Sequence, residues 1–160
     1  MIDLQQSGQG LDGYPLLVAQ LQALLAGERN FIANAAQFSA FLFQELHDLS
    51  WAGFYLTRGE ELVLGPFQGK VACVRIPFGR GVCGAAAATG QTQRVDDVHA
   101  FAGHIACDSA SNSELVVPLF KDGRLFGVLD LDSPALARFS AADQAGIEAL
   151  VEVFVELTDC

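Results

Sequence analysis

Apolar residues recur at steps of three and four through the first third of the chain, and at steps of two through its middle. Residues 16–26, rich in Leu, Ala and Gln, predict a helix stopped by Gly27. Residues 28–47 predict a second, with Phe31, Ala35, Phe38, Leu42 and Leu46 as one apolar stripe. Residues 51–56 and 61–64 read as a strand pair turning at Arg58-Gly59-Glu60. Residues 65–69, with two Gly and a Pro, read as a loop, and 72–77 as a strand. Residues 82–89 read as a short helix, 93–95 as a short strand and 96–112 as a long loop, a length usually tied to function in a compact domain. Residues 114–120 and 125–131 predict a hairpin over Lys121-Asp122-Gly123-Arg124, where Asp-Gly is the turn signal. Ser140 caps a last helix whose buried stripe is Ile147, Leu150, Val151, Phe154 and Leu157. The order predicts an α+β domain, with the N- and C-terminal helices packed on one face of an antiparallel sheet. Residues 1–14, polar and glycine-bearing, read as a loose arm, and 15–160 as one domain.

Composition narrows the function. The 160 residues are 51% apolar and the mean hydropathy is +0.33, enough for one buried core. No apolar run approaches the ~18 residues of a membrane span. The N-terminus lacks a basic region followed by an apolar one, so no signal peptide is expected and the expected compartment is the cytoplasm. A net charge of −10 without a basic stripe excludes nucleic acid as a partner. An acidic surface suits solubility, or a small zwitterionic or cationic ligand.

Three of the four cysteines fall in the middle third, each in a different context. Cys73 lies in a strand-like run, where a thiol is often only a small buried hydrophobe. Cys83 falls in the first turn of a predicted helix, where the helix dipole lowers a thiol pKa. Cys107 sits in the long loop, where a nucleophile can be presented to a pocket. Cys83 and Cys107 therefore compete for the nucleophile role, and the residues alone do not rank them. Cys160, the last residue, is given no role. A zinc set of His104, Cys107, Cys73 and Cys83 is disfavoured because no Cys-x-x-Cys pair occurs, and no metal is expected. Asp130 and Asp132, two apart on a predicted strand, share a face, and Glu114 begins the neighbouring strand. The bland reading of this group is a solvated strand end. The chemical one is a receptor for an ammonium group with one protonated member. Trp51, Tyr55 and Phe67 lie near the first strand pair, and the Gly and Pro around Phe67 suit it to a pocket wall.

Together these stretches resemble the free methionine-(R)-sulfoxide reductases, a family built on a GAF-like domain. The resemblance rests on Trp51-Ala52-Gly53-Phe54-Tyr55-Leu56 and on Gly65-Pro66-Phe67-Gln68-Gly69-Lys70. It continues through Ala72-Cys73-Val74-Arg75-Ile76-Pro77 and Gly103-His104-Ile105-Ala106-Cys107-Asp108. Ser111-Asn112-Ser113-Glu114 and Gly127-Val128-Leu129-Asp130-Leu131-Asp132 complete it, from about residue 15 to the last helix.

The resemblance implies Cys107 as nucleophile and Cys73 as the main resolving thiol. It places Cys83 beside the substrate or as a second resolving thiol. It implies Glu114, Asp130 and Asp132 as substrate-binding carboxylates, and Trp51, Tyr55 and Phe67 as walls around the methyl sulfoxide. The implied activity is reduction of free L-methionine (R)-sulfoxide through a Cys107 sulfenic acid and a disulfide recycled by a thioredoxin-type reductant. It requires no metal, flavin or nucleotide, and a homodimer is the implied assembly. The rival reading is a GAF-type sensor, binding a ligand or switching on a disulfide without turnover.

Overall fold

A computed structural model describes residues 13–103 and 111–160. Residues 1–12 of the expected arm, the expected nucleophile Cys107 and His104 lie outside the described residues. The order is α1 (Tyr14–Leu25), α2 (Phe31–Glu45), β1 (Trp51–Arg58), β2 (Glu61–Gly69) and β3 (Arg75–Pro77). There follow α3 (Gly81–Thr89), β4 (Gln93–Val95), a 3-10 turn (Val98–Ala100), β5 (Ser113–Lys121), β6 (Arg124–Ser133) and α4 (Ala141–Leu157). The strands form one six-stranded sheet in the order β3-β2-β1-β6-β5-β4, and all neighbours are antiparallel.

The alternation along the central strands sorts residues to two faces. Ala52, Phe54, Leu115, Val117, Leu119, Leu129 and Leu131 point to the side covered by α1, α2 and α4. Phe38, Phe54 and Phe154 meet there with ring centroids 5.1–6.1 Å apart. Each such fully buried side chain contributes roughly 1.5–3 kcal/mol, so this layer is the main core. Trp51, Tyr55, Val116 and Val128 point to the other side, which α3 covers with Val82, Cys83, Ala86 and Ala87. The expected α+β architecture holds, with the terminal helices on one face and the inserted helix on the other.

Several expected boundaries are corrected. The first helix starts at Tyr14, two residues before the apolar pattern, because the buried Tyr14 hydroxyl donates to Asp143 Oδ1 at 2.7 Å. The second starts at Phe31, since Asn30 Oδ1 caps Ala33 N–H and Glu28 accepts from the Arg29 and Asn30 amides. Residues 65–69 continue β2 and are not a loop. Gly65 and Pro66 sit where Leu64 faces Tyr55 and Phe67 faces Gly53, so both lie opposite Phe54 alone. That bulge accommodates a proline without an N–H. The strand expected over 72–77 is only Arg75–Pro77, so Cys73 lies on the irregular segment before it. The β5–β6 turn forms as expected, with positive φ at Asp122 and Gly123.

Asp143 ties the ends of the domain together. Its Oδ2 accepts from Ser140 N–H at 2.9 Å and from Arg138 Nη1 at 3.3 Å, while its own N–H donates to Ser140 Oγ. Arg138 and Asp143 side chains are 5% and 3% exposed. Asp143→Ala strands a buried guanidinium and a buried phenol. The expected loss is on the order of 3–5 kcal/mol, read as a shifted denaturant midpoint, with turnover per folded molecule kept.

Candidate active site

The second face of the sheet carries the polar chemistry. Along β6, Asp130 and Asp132 point away from Leu129 and Leu131, as period-two geometry requires. Glu114 on β5 faces Asp132 across the ladder, and Asp130 sits between Gly53 of β1 and Val116 of β5. The three carboxylates therefore share one patch of sheet, under the first turn of α3. They are not a solvated strand end: Asp130 is 4% exposed, and Glu114 and Asp132 are 9% each. Cys83 is buried over them, its Sγ donating to Glu114 Oε2 at 3.7 Å.

Burial sets the electrostatics. Loss of water pushes the Glu114 carboxyl well above the usual carboxylate range, and the neighbouring Asp130 and Asp132 push it further. Burial also raises Asp130, partly offset by side-chain hydrogen bonds from Glu114, Cys83 and Asp132. Two carboxylates share a hydrogen bond only when one holds a proton, so the cluster is partly protonated when empty. Neither Glu114 nor Asp130 forms an ion pair with a Lys or Arg among the described residues. Among the described residues, Asp130 Oδ1 is buried without a hydrogen-bond partner, and so is Ser111 Oγ. Buried acceptors left open are costly, and a ligand that donates hydrogen bonds removes that cost.

The expected low pKa of Cys83 is overturned. The residue does sit in the first turn of a helix. Burial, then Asp130, Glu114 and Asp132, outweigh the dipole and push the thiol well above its ordinary range. Cys83 is thus a neutral donor in this pocket rather than a ready thiolate. Its Sγ and oxygens of Glu114 and Asp130 all lie within 4.8 Å of one another, so they can bracket one small cation. A metal ion needs these groups deprotonated, which burial opposes. A donor such as an ammonium suits them better.

The aromatic wall is built on β1. Trp51 stacks on Tyr55 at 5.7 Å and on Phe67 at 5.1 Å, so Phe67 reaches the site through Trp51. Gly53, between them on the same face, has no room for a side chain: a Cβ there would lie 2.3 Å from Phe67 Cβ. Trp51, Tyr55, Cys83, Glu114, Asp130 and Asp132 border a cavity of about 50 Å³. Ser111 and Arg80 border it too. Pattern reading did not single these two out, although Ser111 lies in the quoted Ser111-Asn112-Ser113-Glu114 motif.

The segment holding Cys73 crosses the rim of this wall. Trp51 Nε1 donates to Lys70 O at 3.1 Å and Tyr55 Oη donates to Cys73 O at 2.8 Å. Cys73 is disulfide-bonded, which removes it from any zinc set, whereas Cys83 and Cys160 are free.

The model of the GAF domain matches residues 17–157. The free methionine-R-sulfoxide reductase of Escherichia coli is 56% identical over 138 residues, covering 86% of this chain and 84% of that protein. The chain belongs to this family of GAF-domain reductases. The free methionine-R-sulfoxide reductase of Saccharomyces cerevisiae is 42% identical over 145 residues, 86% of this chain and 81% of that protein. The X-ray structure of the Neisseria meningitidis free methionine-R-sulfoxide reductase in complex with its substrate is 46% identical, with a TM-score of 0.88. It covers 92% of this chain and 89% of that one. Family membership and fold thus agree with the resemblance carried by the cysteine, carboxylate and aromatic motifs. Among the described residues no helix is long and apolar enough to cross a membrane.

Proposed function

We propose that this protein reduces free L-methionine (R)-sulfoxide to L-methionine with its own thiols as the two-electron donor. One observation carries the reading: three buried carboxylates, with no Lys or Arg partner for Glu114 or Asp130 among the described residues, line a small cavity walled by Trp51 and Tyr55. The substrate's ammonium donates to carboxylate oxygens, among them the open Asp130 Oδ1. Trp51 and Tyr55 face the methyl sulfoxide, with Phe67 stacked behind Trp51. Glu114, held protonated by burial and its acidic neighbours, donates its proton to the sulfoxide oxygen and makes the sulfur electrophilic.

Cys107 is the nucleophile in this reading. Its sulfur attacks the sulfoxide sulfur, methionine leaves, and Cys107 becomes a sulfenic acid. Cys73 then attacks the Cys107 sulfur, a disulfide forms and water departs. The disulfide state of Cys73, beside free Cys83 and Cys160, supports Cys73 as the resolving thiol. Cys83 stays reduced and hydrogen-bonds the Glu114 carboxyl. A thioredoxin-type dithiol in the cytoplasm returns both cysteines to thiols. Assembly as a homodimer follows the family and is tested by sedimentation.

The reading predicts sharp selectivity. The buried carboxylates bordering the cavity are partners for a free ammonium, which an N-acylated residue does not have. With dithiothreitol as reductant, free (R)-sulfoxide should be turned over. The (S) epimer and N-acetylated methionine sulfoxide should react at least about 10-fold more slowly in kcat/KM, one charged hydrogen bond being worth roughly 1.5–3 kcal/mol. Equal rates on the N-acetyl compound contradict the ammonium receptor. Tight binding with no methionine formed favours the sensor.

A further inference from the structure

The segment between β2 and β3 places two exposed valines around the disulfide-bonded Cys73. Val71 is 90% exposed, the most exposed large apolar side chain among the described residues, and Val74 is 61% exposed. Cys73 between them is only partly buried. Lys70 and Arg75 flank the valines on either side, both exposed, in a chain of net charge −10. Arg75 pairs with Glu61, and Lys70 has no ion pair among the described residues.

The backbone here is held, not frayed. Lys70 O accepts from Trp51 Nε1, Cys73 O accepts from Tyr55 Oη at 2.8 Å, and Val74 O accepts from Leu64 N–H at 2.9 Å. A pinned loop that points two valines into water beside a reducible bond keeps an unfavourable apolar surface at one chemically special place.

We propose that residues 70–75 are the docking surface for the protein dithiol that reduces the Cys73 disulfide. The partner is a thioredoxin-class protein whose surface around its reactive thiol is apolar and not basic. The inference rests on the thiol cycle above. A thiolate of the partner attacks Cys73 Sγ and breaks the disulfide. The other cysteine leaves as a thiolate and takes a proton. The partner's second thiol then attacks its own sulfur in the mixed disulfide, releasing Cys73 as a thiol. Two electrons and two protons pass from the dithiol to the disulfide, and the partner departs oxidised. Val74 supplies the apolar contact that holds the two sulfurs in line, with Val71, which also borders the substrate cavity, at its edge. Lys70 selects against a basic partner. Dithiothreitol needs no such contact.

The test compares two reductants on the full chain carrying Lys70→Glu with Val74→Glu, and on the milder Val74→Ser. Neither side chain borders the substrate cavity. Methionine formation is followed with dithiothreitol, and with a bacterial thioredoxin kept reduced by its reductase and NADPH. Dithiothreitol-supported rates should stay within twofold of wild type. The kcat/KM for thioredoxin should fall at least 10-fold in the double variant and several-fold in Val74→Ser, mainly through KM. Unchanged thioredoxin kinetics in a folded variant overturn the docking surface, as does wild type that turns over with dithiothreitol but not with thioredoxin. A variant that turns monomeric in sedimentation while keeping its thioredoxin KM shows a self-interface instead, and also overturns it. Wild type inactive with both reductants sinks the thiol cycle itself, a separate failure. Should the double variant not fold, Val74→Ser alone decides.

Discussion

Cys107→Ser is expected to release no methionine, even in a single turnover with stoichiometric enzyme. A serine hydroxyl is far less nucleophilic than a thiolate toward sulfur, and it forms no sulfenic acid that a thiol could resolve. Cys73→Ser should behave oppositely. Its first turnover should run at close to the wild-type rate, and the block should come afterwards, as a sulfenic acid without its resolving partner. Methionine counted per chain, without reductant, separates the two. The burial of Cys83 predicts a third pattern: Cys83→Ser keeps a hydrogen-bond donor beside Glu114 and should retain the first turnover. Loss of the first turnover in Cys83→Ser with retention in Cys107→Ser would reverse the assignment.

Glu114→Gln is expected to lower kcat/KM on the order of 10- to 150-fold, with the loss weighted to kcat. The range is that of one charge-assisted hydrogen bond, by the tenfold-per-1.36 kcal/mol rule. Loss of a proton donor extends it further. Asp130→Asn, which leaves a proton source but weakens the ammonium site, should act mainly on KM. Stability should move the other way. Burial and the neighbouring Asp130 and Asp132 raise Glu114 above its ordinary 4.5. A carboxyl raised on folding stabilises the fold below that ordinary value. It loses this contribution as pH rises toward its raised value. Between those limits the empty wild type therefore becomes less stable with increasing pH, and Glu114→Gln flattens that slope. At neutral pH the variant should melt at or above the wild-type temperature while turning over more slowly. Thermal melts from pH 4 to 8, beside steady-state kinetics, check both signs. A lower melting temperature with unchanged kinetics would make Glu114 a structural residue.

The sequence made the site's raw material legible wherever period and chemistry are local. Alternation along β6 sent Asp130 and Asp132 to one face, and the adjoining hairpin put Glu114 opposite Asp132. The Asp122-Gly123 turn and the Ser140 cap were equally readable. Two kinds of feature were not. Gly65 and Pro66 look like loop punctuation, yet β2 runs through them because a bulge opposite Phe54 spares the missing N–H. Cys83 carries a helix-terminus signal for an acidic thiol, but the sign of its shift comes from burial and then from carboxylates on β5 and β6, brought beneath it only by folding. The same cover turns the carboxylates from a solvated strand end into a buried cluster. Burial by a helix distant in sequence is a tertiary fact that no local pattern carries.

The central claim, that a free amino-acid sulfoxide is reduced by the chain's own thiols, is tested most directly by stoichiometry. Fully reduced protein, with its four cysteines titratable, is mixed with excess free L-methionine (R)-sulfoxide and no reductant. Methionine and remaining thiols are then counted. The prediction is about one methionine per chain and the loss of two thiols, leaving Cys83 and Cys160, the free cysteines among the described residues. Methionine formed with all four thiols still titratable, or no methionine from a protein that binds the sulfoxide, would contradict it.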